Sequence, residues 1–300
     1  MESGVAQSVV ETGVPDLHEL AEPGSVMESV MRDIKGHLDE LPVMSESAQR
    51  AILALHDPLG SLSSVADEIE TDATMSTKVL RVANSALYGG IGEVNDVRVA
   101  CTRLGLRALA QIVTAQATKA LFKPLQTEFR EALNQYWDHA AKTAIAAEEF
   151  SEHVEEEAAS WLFISGILHN IGKPVLLNFI LAHHQHDSGM LSKDVNLLKR
   201  EVDRFHRYVG LAVAEHWRLP DITRAAILWS EEPQYGETAG VGKLCHALRL
   251  ASSFACMRSD EGTDDFMAAR SSLHYIGIDL DQTRSLFSRC GERMRNRALL

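Results

Sequence analysis

A chain of 300 residues, 45% hydrophobic and 24% charged, can bury a substantial core as one large domain or two closely packed ones. Its 42 acids against 29 Lys and Arg leave a net charge of −13 with the bases scattered, which argues against nucleic-acid binding and against docking on an anionic membrane. The N-terminus lacks a signal-peptide pattern and no apolar run reaches the length of a span, so a cytoplasmic protein is expected.

Glycine and proline are sparse and β-branched alternation is nearly absent, so the chain is read as all-α. Residues 1–25 are acidic and weakly patterned and are expected to form a mobile arm. Val26, Val30, Ile34 and Leu38 stripe a first helix, which Leu41-Pro42 breaks off. Ala48, Ile52 and Leu55 mark the next, and Asp57-Pro58-Leu59-Gly60 a turn. Ser61 and Asp72 stand where N-caps belong, the second opening a helix with Met75, Val79 and Val82. That helix ends at Asn84-Ser85, whose side chains are expected to satisfy its terminal backbone groups. Asn95 or Asp96 opens a helix carrying Val97, Ala100, Cys101 and Leu104, and Gly105 supplies a left-handed stop before a longer helix to Phe122.

Longer helices follow. One is expected over Glu128–His153, and the apolar stretch Trp161–Lys173, WLFISGILHNIGK, forms the next. Gly172 is read as its terminator and Pro174 as the opening of a helix to His183. Asp194 is expected to cap a helix ending near Phe205, followed by separate helices over Val209–Trp217 and Ile222–Trp229, parted by Leu219-Pro220. Two more are expected, around Gly240–Met257 and Leu280–Arg297. The cysteines Cys101, Cys245, Cys256 and Cys290 lack paired or metal-ligand spacing and are read as buried free thiols.

Several of these motifs stand in the order of a known family. Leu41-Pro42, Asp72, Leu80-Arg81-Val82-Ala83-Asn84-Ser85-Ala86 and Leu104-Gly105-Leu106 resemble the first half of an HDOD domain. Trp137-Asp138-His139, Gly166-Ile167-Leu168-His169, Val209-Gly210 and Trp217-Arg218-Leu219-Pro220 extend the resemblance over roughly residues 26–233. Ser45 departs from it, standing where the family often has a second proline. WLFISGILHNIGK also resembles the His-Asp signature of the HD phosphohydrolase superfamily, with Asn170 in the aspartate's place. The resemblance implies two helical lobes: a bundle of short helices over 26–125 and a degenerate HD-like bundle over 126–235, with helices 236–300 packed on the latter. Its structural signature here is Pro42, Asp72, Asn84, Ser85, Gly105, Gly172 and Pro220.

An HD hydrolase converges His, His-Asp and a distal Asp on divalent metal, and the metal then lowers the pKa of a bound water. By order and context His139 and His169 match the two histidines, Asn170 replaces the aspartate, and Ser252 falls where the distal aspartate belongs. His206 matches a family histidine, while Ser230-Glu231 stands where some relatives carry a histidine pair. Loss of even an outer partner of a metal ligand costs about 10- to 100-fold in affinity, so no catalytic residue, metal or other cofactor is expected. His139, His169, Asn170 and His206 are then either hydrogen-bonded core residues or a vestigial small-ligand pocket. His183-His184-Gln185-His186 is read as a solvated helix end, Glu155-Glu156-Glu157 as the acidic start of a helix, and Lys173 as a helix-end cation or salt-bridge partner.

What the resemblance implies is a non-catalytic bacterial signalling or regulatory module that binds other signalling proteins, through its acidic surface or the seam between lobes, with a homo-oligomer as a further option. Two alternatives stay open: a weak metal-dependent phosphohydrolase acting on a nucleotide or cyclic dinucleotide, and a metal-free nucleotide receptor.

Overall fold

Helix starts fall where side chains can take up the first free N–H groups. The computed structural model describes residues 21–22, 25–37, 46–56, 61–86, 88–90, 92–183, 195–233, 240–256 and 264–295, and every regular element among them is helical. Pro42, Ser45 and the turn at 57–60 lie outside the described residues, as do most of the N-terminal arm, Asp194 and His184–His186. Contacts divide the chain into two units, a larger one within Met1–Val43 and Leu121–Gly291 and a smaller one within Met44–Ala120 and Glu292–Leu300.

The smaller unit holds α2 (Glu46–His56), α3 (Leu62–Glu70), α4 (Ala73–Ala83) and α5 (Val97–Lys119). Ser64 N–H donates to Ser61 Oγ at 3.1 Å at the start of α3. Asp72 Oδ1 accepts from the N–H groups of Thr74 (2.9 Å) and Met75 (3.0 Å) at the start of α4. Asp96 Oδ1 accepts from Val99 N–H at 2.9 Å at the start of α5. Each cap satisfies donors the helix cannot. The buried faces carry Val65 and Ile69 of α3, Val79 and Val82 of α4, and Leu109 and Ile112 of α5. At Gly105, φ is +75° and ψ 167°, a conformation restricted to glycine, and α5 bends there. Ser85 Oγ donates to Val82 O at 2.7 Å, closing α4 as expected. Asn84 reaches further than expected: its amide both donates to Val94 O and accepts from Val94 N–H at 2.8 Å, tying down the loop ahead of α5.

In the larger unit are α1 (Val26–Gly36), α6 (Arg130–Ala147), α7 (Glu156–Leu168), α8 (Gly172–His183), α9 (Val195–His216), α10 (Asp221–Trp229), α11 (Gly242–Cys256), α12 (Asp264–Tyr275) and, as far as Gly291, α13 (Leu280–Arg295). The sequence grouped α1 with the lobe of short helices; its contacts belong to the larger unit, where the His37 ring lies 6.0 Å from Phe179 and 5.3 Å from His183. Helix α6 stops at Ala147 and tightens into a 3₁₀ turn over Glu148–His153. Helix α9 is continuous where two helices were expected, because Gly210 is tolerated inside it. Its end is set by Arg218 at φ +55°, with Leu219 N–H reaching Ala214 O at 2.9 Å. Helix α12 was not read from the sequence: its apolar pattern is weak, and Ser272 and Leu273 are its buried positions at the C-terminal end. Of the cysteines, Cys101, Cys245 and Cys290 are buried but Cys256 is exposed.

Helices α7 and α8 are apolar nearly all round because both are core. Together Glu156–His183 is long and apolar enough to cross a bilayer by length and composition, which corrects the expectation that no stretch is; 89% of its most apolar window is buried inside the protein. A turn at His169–Ile171 separates the two helices. Gly172 does not terminate α7 as read from the sequence. It has no left-handed φ and opens α8, where an added Cβ would lie 1.8 Å from His206 O and 2.6 Å from Gly210 N. The missing side chain lets α8 and α9 meet backbone to backbone.

Candidate functional site

That close approach, together with the turn after α7, sets a polar pocket inside the larger unit. Helix α6 supplies Tyr136 and His139, and the turn supplies His169 and Asn170. Lys173 comes from α8, Asp203 and His206 from α9, Glu231 from just after α10, and Ser252 and Cys256 from α11. His169, Asn170 and His206 are 4%, 1% and 1% exposed, so each polar atom needs a partner inside the fold.

Most find one. His139 and His169 meet edge to face with ring centroids 5.3 Å apart. His169 Nδ1 lies 2.7 Å from Gly166 O, an acceptor, so the proton sits on Nδ1 and the lone pair on Nε2. Both nitrogens of His139 are engaged, Nε2 with Ser252 Oγ at 3.2 Å and Nδ1 with Cys256 Sγ at 3.5 Å. His206 Nδ1 donates to Asp203 O at 2.8 Å, and Nε2 faces Glu231 Oε1 at 3.4 Å. Lys173 pairs with Asp203 at 2.8 Å and lies 5.6 Å over the Tyr136 ring. Asn170 is the exception. Its Nδ2 makes a long 3.5 Å contact to Tyr136 O, and its Oδ1 is buried without a partner among the described residues.

The electrostatics follow from burial. Desolvation, then the Lys173 charge, lowers the His139 pKa to about 4. Desolvation and the neighbouring His139 lower that of His169 to about 3. Both rings are neutral near pH 7. Burial alone would raise the Glu231 carboxyl, but the His206 bond and charge, with help from Lys173, bring it down to about 2. Burial, then Asp203, pushes the Tyr136 hydroxyl above its ordinary range.

The structure brings His139 against both His169 and Ser252, while Asn170, next to His169 in the turn, reaches Tyr136 O and His206 reaches Glu231. Glu231 was noticed only as a replaced histidine; tertiary packing makes it the acid that faces His206. Its chemistry was legible, its reach was not. Among the described residues no three His, Cys, Asp or Glu side chains group to hold a cation. Both nitrogens of His139 are taken, and the Lys173 charge is paired with Asp203. His183, also singled out, is exposed at the end of α8, as expected of a solvated helix end, with its ring tilted 4.6 Å from Phe179.

Comparison with known proteins bears on the same residues. The family model for the HDOD domain matches residues 41–233. A protein of uncharacterised function from Treponema pallidum (strain Nichols) is 24% identical over 195 residues. That match covers 63% of this chain and 37% of the relative, so the chain spans well under half of the relative's length. An HDOD domain protein with unknown function from Geobacter sulfurreducens superposes with a TM-score of 0.64 at 21% identity, covering 90% of this chain and 95% of that one. A candidate metal-dependent phosphohydrolase from Shewanella amazonensis SB2B superposes at 0.59 with 22% identity, covering 87% and 99%. At these identities the structural likeness is one of fold.

Proposed function

Because the chain belongs to the HDOD family, which is HD-related, we propose that it is a non-catalytic regulatory module of bacterial signal transduction that acts by binding other proteins. The observation that carries this reading is the Ser252–His139 hydrogen bond. It joins a position that would bear a metal-binding carboxylate to the imidazole that would share the metal, and it leaves both engaged with each other. The imidazoles are tied to Ser252, Cys256 and Gly166 and the carboxylates Asp203 and Glu231 to Lys173 and His206, so the pocket serves to hold α6, the α7–α8 turn and α11 together. The acidic surface implied by the net charge of −13 is then the face offered to partners with basic patches.

Metal analysis of the purified protein tests the catalytic half, with a parallel assay on phosphodiesters and cyclic dinucleotides. The expected result is substoichiometric Mn, Fe and Zn and no turnover. A stoichiometric metal that disappears in His169→Ala, accompanied by hydrolysis, would make the protein an enzyme. The binding half is tested by cross-linked capture in the source cells: the same signalling protein should be recovered repeatedly, and recovered less at raised salt.

One observation favours a second reading. The unpartnered Asn170 Oδ1, beside the free Nε2 of His169, offers two acceptors to a small donor-rich molecule such as a nucleobase. In that case a nucleoside should raise the melting temperature of the wild type and not of Asn170→Leu.

A further inference from the structure

Among the described residues, the smaller unit holds a cation that no acid balances. Lys78, in the middle of α4, is 7% exposed, and among the described residues it makes no hydrogen bond or ion pair. Lysines are almost never buried this way, because nothing offsets the loss of water around the ammonium. After desolvation, the charges acting on it are Arg81 and Lys119, both of its own sign, and its pKa is lowered. Among the described residues of the unit, nothing explains why a basic residue stands there.

The surroundings do. Lys78 lines a cleft of about 440 Å³ between α4 and α5, with Ala73, Thr74, Thr77, Arg81 and Gln116. Thr74, Lys78 and Arg81 recur at i, i+4 and i+7, so they project from one face of α4. The Thr74 hydroxyl and the Gln116 amide make no hydrogen bond among the described residues, whereas Thr77 Oγ1 already donates to Ala73 O at 2.8 Å. Asp72, the nearest acid in sequence, has its Oδ1 engaged in capping α4, and no acid lines the cleft. In a chain with 13 excess negative charges, a cleft with two bases, two spare polar groups and no acid is a local reversal of sign.

We propose that this cleft binds the phosphate group of a small phosphorylated ligand, with Lys78 and Arg81 meeting its charge and Thr74 and Gln116 donating to its oxygens. Two adjacent cations suit a dianion better than a single carboxylate, and the volume lies in the range of small-molecule sites. The site is separate from the His139 pocket and would give the module an input that partner binding alone lacks.

The test is titration calorimetry on the full chain with sodium pyrophosphate and ADP at fixed ionic strength, and citrate as a carboxylate control. Saturable binding of pyrophosphate and ADP is expected, with citrate clearly weaker. Lys78→Met keeps the bulk and removes the charge; Arg81→Gln changes an exposed position. Each should weaken pyrophosphate by roughly tenfold or more, the worth of one charge-assisted hydrogen bond, without lowering the melting temperature. Absence of saturable binding into the millimolar range overturns the proposal, as does equal binding by both variants. Citrate binding as tight as pyrophosphate also overturns it and assigns the cleft to a carboxylate-bearing segment of a protein.

Discussion

The pocket around His139 and His169 and the cleft around Lys78 both take ionisable side chains out of water, but they meet the cost in different ways. In the pocket, burial holds the imidazoles neutral, and Ser252, Cys256 and Gly166 occupy three of their four nitrogens. In the cleft, Lys78 has neither lost its surroundings of like charge nor gained a partner. A buried polar group satisfied from within its own fold reads as architecture, and one left unbalanced beside open space reads as a place for a ligand. The same contrast separates two glycines: Gly172 is required by a neighbour's backbone and Gly105 by its own φ.

The contrast can be broken most severely at Gly172. In Gly172→Ala the new methyl would collide with the His206 carbonyl, which no rotamer change relieves, so a loss upward of about 4 kcal/mol is expected by urea denaturation, at the exceptional end for one substitution. Retention of wild-type stability would mean that α8 and α9 are not held at this distance.

Acid comes next. A histidine whose folded pKa is depressed binds its proton more readily when unfolded. His139 and His169 therefore leave stability untouched above pH 6.5 and erode it as pH falls toward 4 and 3. Each contributes a slope of roughly 1.4 kcal/mol per pH unit, up to roughly 4 kcal/mol for both by pH 5. Thermal melts from pH 7.5 to 5 should show this decline, and His139→Gln should flatten it. Lys78 has the matching sign at the other end, since its penalty is relieved as pH rises toward 10.5.

Returning the missing charge to the pocket sharpens the comparison further. Asn170→Asp combined with Ser252→Asp should gain about 2 kcal/mol of stability in Mn²⁺ at a large excess over its dissociation constant, while the wild type gains none. Wild-type stabilisation of the same size would show that the native donor set already suffices. The smallest effect belongs to the cleft. Lys78→Met removes an unbalanced charge and should stabilise the chain by less than about 1 kcal/mol in a salt-free melt; a clear destabilisation would reveal a partner inside the fold.

Much of the chain was legible because its signals are local. Ser61, Asp72 and Asp96 cap helices whose free N–H groups lie two or three residues away, and Gly105 breaks α5 through its own backbone angle. The all-α class likewise needed only composition and spacing, and the HDOD family showed itself through a resemblance carried by motifs in order along the chain. Other features depend on what arrives from far along the chain. Gly172 could be taken for a terminator until His206 and Gly210 were seen against it, α1 falls with the larger unit through contacts to α8, and α12 carries too weak a stripe to announce itself. The sequence alone determined the all-α class, because composition and helical spacing are local properties. Only the tertiary structure decided that Ser252 closes on His139, that Glu231 turns toward His206 and that Lys78 is left without a counter-charge, because hydrogen-bond partners and desolvation are set by distances between helices, which spacing along one helix does not encode.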